Sequence, residues 1–311
     1  MAPIVLFVYN RPSHTRQTLD ALANNYSANM SDLYIYSDGP KSVGATCDVS
    51  MVRSIINEDK YVHLFNSVKI IQSKINKGLA NSIIEGVSAV FQEYENVIVL
   101  EDDLVTSRSF LNYMNVSLKH FDGIENVGSI TGYSPIFLQE INKDIYFVNR
   151  NCSYGWGTWR NVWLSIEWDS SKIKLSFIDY IKFKKFSGCG RDRIKRLINQ
   201  KRGIIDSWSI RFGWSLSNLN LLTVYPTQAL LRNIGWDGSG THNKGASKAG
   251  EIFNTHVQDY KENWRLNEGI SSDIDMARRF NKTYHTSYLS VLGSYVFYIL
   301  HKFFDIRISR K

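Results

Sequence analysis

The sequence predicts an α/β fold in which a mostly parallel sheet is flanked by helices. Short apolar runs of the kind that form buried strands alternate with amphipathic segments at the spacing of βαβ units. One of these runs, residues 97–100, leads directly into three acids, Glu101, Asp102 and Asp103. Open α/β sheets bind ligands at the carboxyl ends of their strands, so this triplet predicts where the functional site lies.

The predicted elements follow one another without an internal repeat. The predicted strands are residues 4–9, 32–37, 68–72, 97–100, 127–131 and 221–225. The predicted helices begin at an N-cap on Ser13, near residue 49, at residues 76–80 and at Ser107, and they end near residues 25, 57, 94 and 121. Later come a tryptophan-rich loop at 154–159, a glycine-rich loop at 233–242 and an apolar run at 288–304 that predicts a C-terminal helix.

The composition fits a folded protein of a reducing compartment. Of the 311 residues 43% are hydrophobic and 13% are aromatic, which is enough for a sizeable core and excludes a disordered chain. Cys47, Cys152 and Cys189 form neither a metal-binding spacing nor a disulfide framework. No signal peptide and no run of 18 apolar residues is present, so we expect a cytoplasmic protein.

The net charge of +8 is concentrated in one segment, because residues 182–202 hold nine Lys or Arg and one acid, Asp192. Such a segment can bind an anionic membrane surface, a lipid-linked pyrophosphate or nucleic acid, or it can be a solvated helix. The segment lacks interleaved aromatic residues for base stacking, so nucleic acid is not the expected partner. The tail at 288–311 either lies on a membrane as an amphipathic helix or packs on the protein.

The acidic triplet predicts a metal-assisted site for a nucleotide diphosphate. Three adjacent carboxylates are costly unless a cation or a hydrogen-bond donor compensates their charge. Mg²⁺ and similar hard ions are held by one or two carboxylates together with substrate phosphates. If the strand stays extended, Glu101 and Asp103 point to one face and Asp102 to the other. An acidic loop that caps a helix is the alternative.

Several motifs occur in an order that resembles the GT-A-fold glycosyltransferases. They are residues 8–12 (VYNRP), 37–39 (SDG), 76–80 (NKGLA), 101–103 (EDD), 155–159 (GWGTW) and 237–242 (DGSGTH). The EDD form is similar to the N-acetylglucosaminyltransferase I type, and the last two motifs are similar to bacterial surface-polysaccharide (O-antigen or capsule) transferases. The resemblance covers about residues 3–245. It implies a GT-A domain at 1–250, with a nucleotide-binding half at 1–104, an acceptor-side half at 105–250 and a C-terminal extension at 251–311.

The resemblance also implies roles for individual residues. Asp103 and His242 would bind Mn²⁺ or Mg²⁺, and Asp206 would be the general base, with Asp237 as the fallback. The family has two successive acids before the tryptophan, whereas Ser207 takes the second place here, which puts the assignment of the base in question. The residues implied to bind the donor are Tyr9, Arg11, Asp38, Asn76, Lys77, Glu101, Asp102 and Trp156.

Four of these residues also have plain structural interpretations. His242 either closes over the metal or the pyrophosphate or is a surface loop residue. Asp38 ends a strand and either contacts the ribose or base or forms a turn. Trp156 either stacks on a sugar near the site or belongs to the core, and we expect Trp163 to be structural. Asp206 is either the base or a helix cap.

The implied function is an inverting, metal-dependent hexosyl- or N-acetylhexosaminyltransferase. It would use a UDP-sugar and an undecaprenyl-diphosphate-linked saccharide, and it would lie on the cytoplasmic face of the anionic inner membrane through residues 182–202 and 288–311. A sugar nucleotidylyltransferase is one alternative, although residues 9–12 lack the glycine-rich phosphate loop of those enzymes. A non-enzymatic, basic membrane-binding protein is the other.

Overall fold

The computed structural model describes residues 1–136, 143–173, 180–237, 257, 261–266 and 269–304. Its strands are β1 (Ile4–Val8), β2 (Asp32–Ser37), β3 (Ser67–Gln72), β4 (Asn96–Glu101), β5 (Leu104–Thr106), β6 (Val127–Thr131), β7 (Ile145–Val148), β8 (Trp156–Trp159), β9 (Leu222–Pro226) and β10 (Leu231–Asn233). Its α-helices are α1 (Pro12–Ala23), α2 (Thr46–Ile56), α3 (Asp59–Val62), α4 (Leu79–Val90), α5 (Phe110–His120), α6 (Arg160–Leu164), α7 (Tyr180–Ser187), α8 (Asp192–Lys201), α9 (Trp208–Asn218), α10 (Ile274–Thr283) and α11 (Tyr288–Phe304).

The central sheet has eight strands in the order β3-β2-β1-β4-β8-β6-β9-β7. The strands β3, β2, β1 and β4 are parallel, and β6 and β9 run in the same direction, whereas β8 and β7 are antiparallel to their neighbours. A separate antiparallel ribbon joins β5 and β10. The prediction of an α/β fold with a mostly parallel, Rossmann-like sheet flanked by helices, as expected of a GT-A fold, is confirmed.

The pairing of β1 with β4 positions the candidate site. Every residue of β1 and residues 97–100 of β4 are buried, as expected of strands covered on both faces. The register pairs Ile4 with Ile98 and Phe7 with Glu101. The two strands therefore end at the same edge of the sheet, and the chain that follows β1 comes close to the acidic triplet.

The GWGTW segment is a strand and not the expected loop. β8 lies in the middle of the sheet, between β4 and β6. Trp and Thr are frequent in strands, and Gly157 permits the close approach to β4 because an added Cβ would lie 2.8 Å from the Val97 carbonyl oxygen. Two helix starts also differ from the prediction. Arg11 occupies the N-cap of α1 with Pro12 as its first residue, and α5 begins after Ser109.

The C-terminal helices pack against the rest of the protein. Met276 and Phe280 of α10 join a buried cluster with Tyr146 of the edge strand β7 and Tyr225 of its neighbour β9. One side of α11 packs beside α7 and α8. None of the helices that the structure describes is long and apolar enough to cross a bilayer. The predicted domain boundary at residue 250 stays a prediction.

Candidate functional site

Arg11 binds the acidic triplet from the neighbouring strand. Its guanidinium donates to Asp102 Oδ1 and, over 3.0 Å, to Asp103 Oδ2. The side chain of Arg11 is 18% exposed, against 5% for Asp102 and 13% for Asp103. The compensating charge that three adjacent acids require is therefore supplied by the protein itself, at an edge where a ligand can still reach Asp103 and Arg11.

The expected alternation of the triplet side chains is wrong beyond Glu101. β4 ends at Glu101, and Asp102 and Asp103 form a turn before β5. In a turn the side chains no longer alternate between faces, so both aspartates reach the same guanidinium. Asp102 is also held inside the protein, because its Oδ2 accepts the amide of Tyr9 over 3.3 Å and its carbonyl accepts Thr18 Oγ1 over 2.8 Å.

Burial raises the pKa values of two acids of the triplet, Glu101 and Asp102. Burial, followed by the negative charges of Asp103 and Asp102, raises the pKa of Glu101 to about 8. Without a bound cation, a pKa near 8 favours the protonated form of Glu101 at neutral pH. Burial also raises the pKa of Asp102, although the charge of Arg11 opposes that rise. The partly exposed Asp103 is the carboxylate best placed to meet a cation from solution.

A tight turn after β10 covers the triplet. The Ile234 amide donates to the Asp103 carbonyl over 2.8 Å, and the Gly235 amide donates to Asn233 Oδ1 over 2.7 Å. An added Cβ on Gly235 would lie 2.3 Å from Asp103 Oδ2 and 3.0 Å from Arg11 Nη1. A side chain at position 235 would therefore force the Asp103 carboxylate, the Arg11 guanidinium or the turn to shift.

His14 fixes the same turn from the first turn of α1. Its Nε2 lies 3.3 Å from the Ile234 carbonyl and 3.2 Å from Asp237 Oδ2. Neither His14 nor Gly235 was predicted as a site residue. The signal for His14 was its position three residues after Arg11 in a helix, which places the two side chains on neighbouring positions of one face. Gly235 gave no sequence signal beyond its membership of a glycine-rich loop.

The Asp38 carboxylate holds two predicted motifs together. Its oxygens accept the amides of Gly39 over 2.8 Å, Lys77 over 2.9 Å and Gly78 over 3.0 Å. Asn76 Nδ2 donates to the Gly39 carbonyl over 2.8 Å, which closes the same junction. These contacts support the interpretation of Asp38 as a loop-forming aspartate. Roles for Asp38 and Asn76 in donor binding stay predictions.

Tyr9 and Lys77 lie at the rim of this edge. Tyr9 is partly exposed, and its hydroxyl accepts the amide of Lys41 over 3.0 Å. Lys77 is exposed, and its Nζ donates to Glu85 Oε2 over 2.5 Å. Their predicted contacts with a donor remain untested.

Comparison with known proteins finds only distant similarity. No protein-family model and no curated protein matches the chain. Among solved structures, S. aureus TarS aligns at 14% identity and a TM-score of 0.33 over 47% of this chain and 24% of that chain. TarS 1–349 aligns at 11% identity and a TM-score of 0.42 over 99% and 76% of the two chains. A putative glucose-1-phosphate thymidylyltransferase from Bacillus anthracis aligns at 12% identity and a TM-score of 0.40 over 76% and 90%.

These similarities assign no activity to this chain. The aligned part covers about a quarter of the TarS chain. The identities and scores are too low to transfer a reaction, a substrate or a residue role.

Trp156 is a core residue and not an exposed stacking platform. Its ring has no exposed surface, and its centroid lies 4.8 Å from that of Trp208 and 5.8 Å from that of Trp163, both in stacked geometry. Phe212 completes the cluster at 5.4 Å. The structure supports the core interpretation for Trp156 and the structural role expected of Trp163. It offers no ring surface at Trp156 on which a sugar could stack.

The two candidate bases have different surroundings. Asp206 is 60% exposed and pairs with Arg211 Nη2 at 2.7 Å, while Ser207 and not Asp206 caps α9. Asp237 is 49% exposed and pairs with His14, beside the turn that covers Asp103. The described contacts therefore connect Asp237, but not Asp206, to the triplet.

The metal prediction can be tested only in part. His242 lies outside the described residues, so the structure says nothing about it. In the described part of the chain, no group of three or more His, Cys, Asp or Glu side chains is arranged to hold a metal ion. The single carboxylate of Asp103 fits a Mg²⁺-type ion that takes most of its ligands from substrate phosphates and water.

Proposed function

We propose that this chain is a metal-dependent, inverting glycosyltransferase that uses a UDP-sugar. The observation that supports the proposal is the contact of Arg11 with Asp103 at the carboxyl ends of β1 and β4. A guanidinium binds phosphate oxygens, and an adjacent carboxylate binds the divalent ion that accompanies a diphosphate. The diphosphate and the divalent ion would thus each have a binding residue at the same edge of the sheet.

The chain's own residues would bind and orient the donor. Arg11 would donate to the diphosphate, Asp103 would hold Mn²⁺ or Mg²⁺, and the 233–237 turn would limit access of water to the same edge. The bound ion would supply Lewis-acid stabilisation of the departing diphosphate. Glu101 would contact the sugar or ribose. The identity of the transferred sugar is left to a screen of UDP-sugars.

Calorimetric titration of UDP with and without Mn²⁺ tests the proposal. Changes beside a metal ligand reduce metal affinity by about 10- to 100-fold, so we expect Asp103→Ala to weaken Mn²⁺-dependent binding of UDP by at least that much. The matched control is Asp122→Ala, which removes an exposed acid for which no contact is described. If UDP and the other nucleoside diphosphates fail to bind to the wild type, the enzyme proposal is wrong and a basic binding protein becomes the better interpretation.

The general base is the second part of the proposal. Because the described contacts bring Asp237 to the triplet, we expect Asp237→Asn to lower the turnover number more than Asp206→Asn does. The expected loss is about 10²- to 10⁴-fold, with little change in the Michaelis constant for the donor. A larger loss for Asp206→Asn would restore the first choice made from the sequence.

We further propose that the acceptor is a lipid-linked saccharide, such as an undecaprenyl-diphosphate-linked one, in the synthesis of a bacterial surface polysaccharide. The cationic segment 182–202 supports this choice, because a lipid pyrophosphate and an anionic inner membrane surface both attract cations. The protein would then act on the cytoplasmic face of that membrane, through residues 182–202 and 288–311.

A further inference from the structure

The helix α11 has two sides with different surroundings. Val291, Tyr295 and Tyr298 pack against an apolar cluster formed by residues of α7, α8 and α9. The other side carries an apolar stripe, which we define as Tyr288, Leu289, Leu292 and Val296, with exposures of 73%, 79%, 56% and 46%. Positions 288, 292 and 296 are one turn apart, so they share a face of the helix. The helix is thus fixed to the protein while it presents large apolar side chains to the outside.

Two cations of the α8 region border this stripe. The guanidinium carbon of Arg191 lies 3.9 Å from the centroid of the Tyr288 ring, and its Nε donates to the Thr286 carbonyl over 2.9 Å. Lys195, one helical turn further, donates from Nζ to Ser290 Oγ over 3.1 Å. Arg191 therefore places its charge directly beside Tyr288 of the stripe, and Lys195 places a second charge on the same helix, at Ser290.

These charges are not neutralised by acids in the described part of the chain. All described contacts of Arg191 and Lys195 are with neutral groups. Asp192, the one acid of the segment 182–202, is bound to Arg150 at 2.9 Å. Arg193 does not contribute to the surface, because it is buried and donates to backbone carbonyls. Arg193 therefore has a structural role, whereas the partly exposed Arg191 and the exposed Lys195 place positive charge beside α11.

We propose that the apolar stripe of α11 and its cationic border, Arg191 and Lys195, form a docking face for an anionic lipid bilayer. An interfacial helix buries one apolar face at the level of the headgroups, with cations beside it that attract anionic lipids. α11 has 17 residues and does not qualify as a membrane span, which fits a helix that lies along the surface. The inference deepens the proposed function by naming the membrane-facing residues, and it uses the proposed lipid-linked acceptor only to explain the purpose of docking.

Vesicle flotation of the full chain tests this face. We expect binding to phosphatidylglycerol vesicles at low salt, weaker binding at high salt and none to phosphatidylcholine vesicles. Each cation near an anionic surface contributes about fivefold in affinity, so the double variant Arg191→Glu, Lys195→Glu should bind at least about twentyfold more weakly. The double variant Leu289→Ser, Leu292→Ser should lose binding at every salt concentration.

Matched control variants separate this face from general charge and hydrophobicity. Lys69→Glu with Lys119→Glu changes the net charge equally at exposed sites elsewhere, and Leu164→Ser with Val62→Ser removes two exposed apolar side chains elsewhere. Both controls should float like the wild type. Circular dichroism and calorimetric binding of UDP confirm that each variant is folded and keeps its donor site.

The outcomes distinguish this inference from the proposed function. If the wild type ignores anionic vesicles, or if the face variants float as the controls do, the docking face is wrong even when UDP binds normally. A dimer in solution that the Leu289→Ser, Leu292→Ser variant disrupts would show that a second copy covers the stripe, which also overturns the proposal. If UDP does not bind but vesicle binding behaves as expected, docking stands and the glycosyltransferase proposal fails.

Discussion

The charge of the candidate site is set by one residue, Arg11, which contacts two of the three acids. Removing one partner of a largely buried ion pair leaves an uncompensated charge, so we expect Arg11→Gln to lower the free energy of unfolding by about 3 kcal/mol. Arg16→Gln is the matched control, because Arg16 also pairs with an acid, Glu58, but is 42% exposed. We expect its effect to stay within about 1 kcal/mol. Equal losses in urea denaturation would contradict this difference.

Gly235 is required by the close contact of its turn with Asp103 and Arg11. A methyl group at 2.3 Å from Asp103 Oδ2 must displace either the turn or the carboxylate. We therefore expect Gly235→Ala to weaken Mn²⁺-dependent binding of UDP by about tenfold or more while the protein stays folded. Gly269→Ala, where an added Cβ meets nothing within 4 Å, is the control. Unchanged binding in Gly235→Ala would show that the turn adapts without cost to the site.

The sequence predicted where the site lies better than it predicted which residues contact one another there. The triplet lies at the end of a buried strand, as expected, because an apolar run followed by acids is a local signal. The contact of Arg11 with Asp103 spans 92 positions and depends on which strands are neighbours, which a local pattern does not contain. The burial of Trp156 also depends on elements distant in the sequence, because three of its neighbours come from α6 and α9.

Among the elements, regular parallel strands were predicted well and short antiparallel ones were not. Residues 32–37 and 127–131 were predicted with the bounds that the structure has, and the apolar run 288–304 coincides with α11. The strands β5, β7, β8 and β10 have three or four residues each, and none of them was predicted. A run this short has too few positions to show a two-residue period.

The segment 261–266 is attached to the protein through a buried acid, Asp144. The Asp144 carboxylate accepts Lys261 Nζ over 2.5 Å, the Arg265 amide over 2.7 Å and Arg265 Nη2 over 3.1 Å. Burial would raise the pKa of Asp144, but the hydrogen bonds from Arg265 and Lys261 outweigh it and hold the pKa below its ordinary value. The attachment is therefore present above about pH 4, the unfolded value, and is lost as the pH falls through the lower folded value.

Hydrogen exchange checks this attachment. We expect the protection factor of the Arg265 amide to fall between pH 6 and pH 3, and Asp144→Asn to show low protection already at pH 6. Asp122→Asn, at an exposed acid, should keep the pH dependence of the wild type. Protection that is independent of both pH and Asp144 would mean that the apolar contacts of Trp264 and Leu266 alone hold the segment.

For the whole molecule, we expect the acidic triplet to dominate the pH dependence of the free energy of unfolding near neutral pH. Because the pKa of Glu101 rises to about 8 in the folded state, the folded protein keeps a proton that the unfolded chain releases near pH 4.5. The stabilisation is complete below about pH 4.5 and is lost as the pH rises towards 8, with a slope of at most about 1.4 kcal/mol per pH unit for one proton.

We expect Glu101→Gln to flatten this slope and to be more stable than the wild type at pH 8. Urea unfolding at pH 5 to 8 without divalent ions measures both effects, with the exposed Glu125→Gln as a control that keeps the slope. An unchanged slope in Glu101→Gln would show that Glu101 does not bind the proton.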